Sequence, residues 1–72
     1  MTRLPQVSGQ QVVRALEKFG YDVVRQKGSH IRLAHDQRPS ISVPDHRIIG
    51  KGLLHKILRD TGLSADEFRE LL

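Results

Sequence analysis

Cysteine is absent from this 72-residue chain, and tryptophan with it. Without cysteine there are no disulfides and no thiolate zinc sites, and nothing points to an oxidising compartment. Only three aromatic residues occur: Phe19, Tyr21 and Phe68. Phe19 and Phe68 fall on predicted core stripes and only Tyr21 is expected to be exposed, so no aromatic platform for stacking RNA bases can be assembled. No apolar run approaches the roughly 18 residues of a membrane span. Met1–Pro5 is too short and polar for a signal peptide, and a cytoplasmic location is expected. Acidic residues are scarce over most of the length. Residues 1–59 hold 11 of the 12 Lys and Arg against four acids (Glu17, Asp22, Asp36, Asp45), a net of +7, whereas residues 60–72 carry a net of −3. A basic body of this kind suits a polyanionic partner, with nucleic acid ahead of a membrane surface because no amphipathic helix is strongly basic. Charge that merely keeps a small protein soluble and monomeric is the competing explanation.

What is present is organised for one small domain spanning residues 1–72, with 1–6 as a loosely held tail and Leu4 and Pro5 packing under the first helix. A chain this short buries only about 60% of its unfolded surface, so local signals must agree with the fold. Ser8 and Gln11 form a capping box, Val7 and Val12 the matching hydrophobic staple. The helix they start carries Val12, Val13, Leu16 and Phe19 at helical spacing and stops at Gly20. Two short runs follow, Tyr21–Gln26 and Ile31–His35, and Asp36–Pro39 is a turn cluster. Ser40–Val43 reads as a third strand, with Ile41 and Val43 on the core side and Ser40 and Ser42 opposite. Beyond the irregular segment 44–52, Leu53, Leu54, Ile57 and Leu58 supply the stripe of a helix from about Gly52 to Thr61. Ser64 with Glu67, and Leu63 with Phe68, announce a last short helix. The order is α-β-β-β-α(-α), predicting a three-stranded antiparallel sheet with helices on one face. This is a small α+β fold like that of a double-stranded-RNA-binding domain (dsRBD-like).

The segment Lys27-Gly28-Ser29-His30 carries most of the functional information. A two-residue Gly-Ser link between the two runs predicts a β-hairpin with a type II′ turn, because glycine takes the positive φ of the first turn position without steric cost. The register then sets Lys27 opposite His30, Arg25 opposite Arg32 and Val24 opposite Leu33. Arg25, Lys27, His30 and Arg32 share one face, and Val24, Ile31 and Leu33 the other. Like charges directly opposed are destabilising, a cost that a bound anion would remove. The same pattern also fits a solvated face whose long cations splay apart in water.

Rival chemistry is poorly supported. His30, His35, His46 and His55 show no helical zinc spacing, and a metal site built on Asp45 and His46 rests on proximity alone. Ser29 and His30 are adjacent on a strand edge, so their side chains diverge, and no third group orients them as nucleophile and base. A lone histidine among cations supports something narrower. Arg25, Lys27 and Arg32 attract a phosphate, and the imidazole passes a proton as general acid or base. RNA carries its own nucleophile, the 2′-hydroxyl, so neither a protein nucleophile nor a metal or cofactor is required. Gly50-Lys51-Gly52 could cradle a further phosphate at a helix N-terminus. It lacks the P-loop pattern and also reads as a plain loop-to-helix transition.

Taken in order, these segments resemble the HicA-type toxins of bacterial and archaeal toxin–antitoxin pairs. The resemblance is carried by Ser8-Gly9, Leu16 to Tyr21, Val24 to His30, Ile41-Ser42-Val43-Pro44, His46, Lys51-Gly52-Leu53-Leu54, Lys56-Ile57-Leu58 and Thr61-Gly62-Leu63-Ser64. It covers almost the whole chain. Leu53, where a small polar residue is common, and the variable stretch 46–49 depart from the pattern. The resemblance implies a ribosome-independent endoribonuclease that cuts mRNA to arrest translation, and a HicB-type antitoxin that masks it. It also implies that the histidine of the Gly-Ser-His element, here His30, is catalytic. A non-catalytic RNA-binding module of the same fold is the alternative. A protein–protein adaptor is a third class and would have no affinity for RNA. His30 in the turn discriminates the first two, since a pure binder gains little from histidine there over lysine or arginine.

Overall fold

The computed structural model describes residues 4–72; the part of the expected tail at 1–3 lies outside them. The elements are α1 (Gly9–Lys18), β1 (Asp22–Lys27), β2 (His30–Ala34), β3 (Ile41–Pro44), α2 (Lys51–Thr61) and α3 (Ala65–Leu71). The strands form one antiparallel sheet in the order β1-β2-β3. Both capping boxes are formed: Ser8 and Gln11 exchange bonds at the start of α1, and Ser64 and Glu67 at the start of α3. Val7 and Val12, the staple pair, are both buried.

Alternation along β2 and β3 sorts the sheet into two faces. Ile31, Leu33, Ile41 and Val43 are buried under the helices, while His30, Arg32 and Ser42 are exposed. From the helices come Val12, Val13, Ala15 and Leu16 of α1, Leu54, Ile57 and Leu58 of α2, and Phe68 of α3. Leu4 packs against the edge of this core.

Three expectations are corrected. Val24 does not oppose Leu33: the register shifts between Val23 and Arg25, so Val23 pairs with Leu33 and Val24 is the extra residue of a bulge. A bulge displaces one residue from the alternation and bends the strand. Val24 is therefore 59% exposed instead of facing the core. Tyr21 is not exposed at all. It is buried, its hydroxyl donates to the Pro39 carbonyl at 2.9 Å, and burial pushes its phenol pKa above the ordinary value against the opposing pull of Arg38. Leu53 leaves the buried stripe of α2 and stands partly open to solvent. Phe19 is only partly buried, with the Arg38 guanidinium 4.6 Å from its ring centroid.

The segment between β3 and α2 is irregular but pinned. Gly9 N–H donates to the His46 carbonyl (2.8 Å), Ile49 N–H to the Val7 carbonyl (2.7 Å), and the Gln10 amide to the Asp45 carboxylate (3.0 Å). The start of α1 thus holds the end of β3 in place. No helix among the described residues is long and apolar enough to cross a membrane.

Candidate nucleic-acid interface

The β1–β2 turn conforms to its chemistry. Gly28 has φ +58°, and no non-glycine residue among those described has positive φ. That combination fits a type II′ turn, whereas type I′ needs positive φ at both central positions. Lys27 pairs with His30 and Arg25 with Arg32, as the hairpin register requires. On its other side β2 continues the two rows: His30 pairs with Pro44 and Arg32 with Ser42. Asp45 N–H donates to the Ser29 carbonyl at 2.6 Å, carrying the ladder past the strand ends and anchoring the turn from β3. His30 is therefore held between two strands at the rim of the sheet.

The outcome is a shallow recess of about 170 Å³ on the open sheet face, lined by Arg25, Lys27, His30, Arg32 and Ser42. Among the described residues, the ion pairs are Arg59 with Asp60 and Arg69 with Asp66, so none of the three cations in the recess is neutralised by a carboxylate. Three unpaired cations around one imidazole concentrate positive potential in a small volume. Ser42 is the member that sequence reading did not name. Strand alternation places it on the open face, but only the β2–β3 register sets it beside Arg32.

Lys51 lies elsewhere. It begins α2, is exposed, and lines a separate recess with Leu4, Pro5, Gln6, Ile48, Ile49 and Gly50. Gly28 and Ser29 form the turn itself. The remaining histidines are apart from the recess. His46 and His55 are exposed, and His35 is engaged in structure. His35 Nδ1 accepts from the Gln37 N–H at 3.0 Å, so its neutral ring carries the proton on Nε2, facing the Phe19 carbonyl at 3.3 Å. No group of three or more His, Asp or Glu among the described residues could hold a metal ion.

Fold and site together define a small α+β domain that presents an anion-attracting recess with one histidine on an uncovered sheet. A family model described as the HicA toxin of bacterial toxin-antitoxin matches residues 9–63. The chain belongs to this HicA toxin family, and membership implies an antitoxin partner. No curated protein matches it.

Proposed function

We propose that this protein is an endoribonuclease that cleaves mRNA and so arrests translation, with His30 as general acid or base. The recess that gathers Arg25, Lys27, Arg32 and Ser42 around His30 carries the reading. A phosphodiester seated among the cations has its charge balanced both before and during reaction, when negative charge grows on the non-bridging oxygens of the pentacoordinate phosphorane. Attack by the RNA 2′-oxygen forms a new P–O bond, and the bond to the 5′-oxygen breaks. One proton leaves the 2′-hydroxyl and one reaches the departing oxygen. His30 performs one of these transfers and solvent the other. A single positioned acid–base group contributes roughly 10²–10⁴-fold, which describes a slow, growth-arresting nuclease. No step calls for a metal, and cleavage should continue in EDTA.

Phosphate contacts should dominate affinity, so RNA binding should weaken steeply with salt. Neutralising any one of Arg25, Lys27 or Arg32 should lower the log–log salt slope by about 0.7, as for one lost contact to a single strand. Filter binding across a salt series reads this directly; salt-independent binding would contradict the electrostatic account.

The free toxin is read as a monomer, and a HicB-type antitoxin is its partner. An unneutralised basic face invites an acidic or shape-matched surface, and the antitoxin should cover His30 and contact Arg25 or Arg32. Titrating antitoxin into a cleavage assay should extinguish activity near a stoichiometric ratio. A complex that still cuts RNA, with His30 open to solvent, would refute this mode of inhibition.

A further inference from the structure

The recess around His30 does not end at Ser42. A second recess of about 220 Å³ lies between β3 and α2, lined by Arg32, Ser40, Ile41, Ser42, Leu53, Lys56, Ile57 and Asp60. The two share Arg32 and Ser42, so they adjoin, and together they form a trough that leads from the β1–β2 turn over the open face and around the outer edge of β3 to α2. We propose that this second half is a subsite for the nucleotide flanking the scissile phosphate, with Lys56 holding the next phosphate of a single-stranded RNA. The proposal rests on the ribonuclease reading and extends its binding surface from the hairpin to α2.

The chemistry along the trough suits RNA backbone. Arg32 stands at the junction, and Lys56 lies beyond it on α2. Lys56 is exposed and has no carboxylate partner among the described residues. Ser40 and Ser42 supply hydroxyls that can donate to phosphate or bond a ribose 2′-hydroxyl. Leu53, 36% exposed, offers an apolar surface for a ribose or base edge. Asp60 lines the same recess and its carboxylate sits 3.8 Å from Arg59 Nε. A carboxylate repels phosphate, so the backbone leaves the trough at Lys56 and does not follow α2 to its end. RNA can turn a base toward Asp60 and donate to it from an exocyclic amine, whereas an acidic protein segment has only carboxylates to set against it.

The test uses the His30→Ala protein, so that RNA stays intact, and fluorescent single-stranded RNAs: a short one, and versions extended at the 5′ or the 3′ end. Extension at one end should tighten binding. Lys56→Ala in the same background should remove that gain and lower the salt slope for the extended RNA by about 0.7. Lys56→Arg should keep both, and Arg14→Ala, on the exposed side of α1, should leave the slope unchanged. If Lys56→Ala leaves the salt slope and the extension gain intact while the parent binds RNA, the subsite is wrong and the ribonuclease reading stands. If the parent binds no RNA at low salt, both fall. Lys56→Ala that weakens only the antitoxin complex would assign the trough to protein and overturn the proposal.

Discussion

Replacing His30 with alanine should lower the rate of RNA cleavage by roughly 10²–10⁴-fold, the contribution of one positioned acid–base group. Growth arrest should disappear with it. The fold should be almost untouched, because His30 is exposed at the start of β2 and surface substitutions usually shift stability by less than about 0.5 kcal/mol. RNA binding should persist, since Arg25, Lys27 and Arg32 remain. The measurement is single-turnover cleavage of a defined RNA, with circular dichroism as the check on folding. A 2′-deoxy substitution at the scissile nucleotide should block cleavage by the wild type without abolishing binding, because it removes the nucleophile and leaves the phosphates. His55→Ala is the proper control, being exposed and remote from the recess. His35→Ala is not. It would lose the bonds to Gln37 and Phe19 and the edge contact with Tyr21, and so alter the turn after β2. Wild-type cleavage by His30→Ala would end the catalytic assignment and leave the RNA-binding module in its place.

The second large effect is expected far from the charged face. Gly9 is buried at the start of α1, and a Cβ there would collide with the Pro44 carbonyl, with Asp45 Cα close behind. The obstacle is backbone, so no rotamer change relieves it, and the Gly9 N–H is already committed to the His46 carbonyl. Gly9→Ala should cost about 3 kcal/mol, the upper part of the usual range for overpacking. In a domain of this size that corresponds to a fall in Tm of roughly 12–24 °C. Pro44 is also the strand partner of His30, so displacement of β3 disturbs the rim that holds His30 from behind. Gly9→Ala should therefore lose cleavage out of proportion to its RNA affinity when assayed below its own Tm. A variant that melts within a few degrees of the wild type would show that α1 and β3 can separate freely.

Gly9 also shows where sequence reading stops. Ser8, Gln11 and Val12 announce a helix start through local chemistry, and the structure has it there. Nothing local reveals that Gly9 touches Pro44, because that contact joins residues 35 positions apart. The same division holds in the hairpin. A Gly-Ser link specifies the turn, and the turn specifies that Lys27 meets His30 and Arg25 meets Arg32. The bulge at Val24 lies beyond the reach of that rule. It falls in β1, an edge strand with every residue exposed, and the alternation that should have buried Val24 fails there.

Sequence by itself determined the element order, both capping boxes, the buried faces of β2 and β3, and the basic cluster around His30. Each of these follows from interactions within a few residues or from a period of two or 3.6 along the chain. Tertiary structure alone decided that Tyr21 is buried with its hydroxyl on Pro39, that Ser42 completes the recess, and that Lys51 stands outside it. It also decided that Leu53 and Lys56 line a trough continuing from the recess. Those outcomes depend on the register of β3 against β2 and on where α2 lies against β3, distances set by packing across the core that no local pattern encodes.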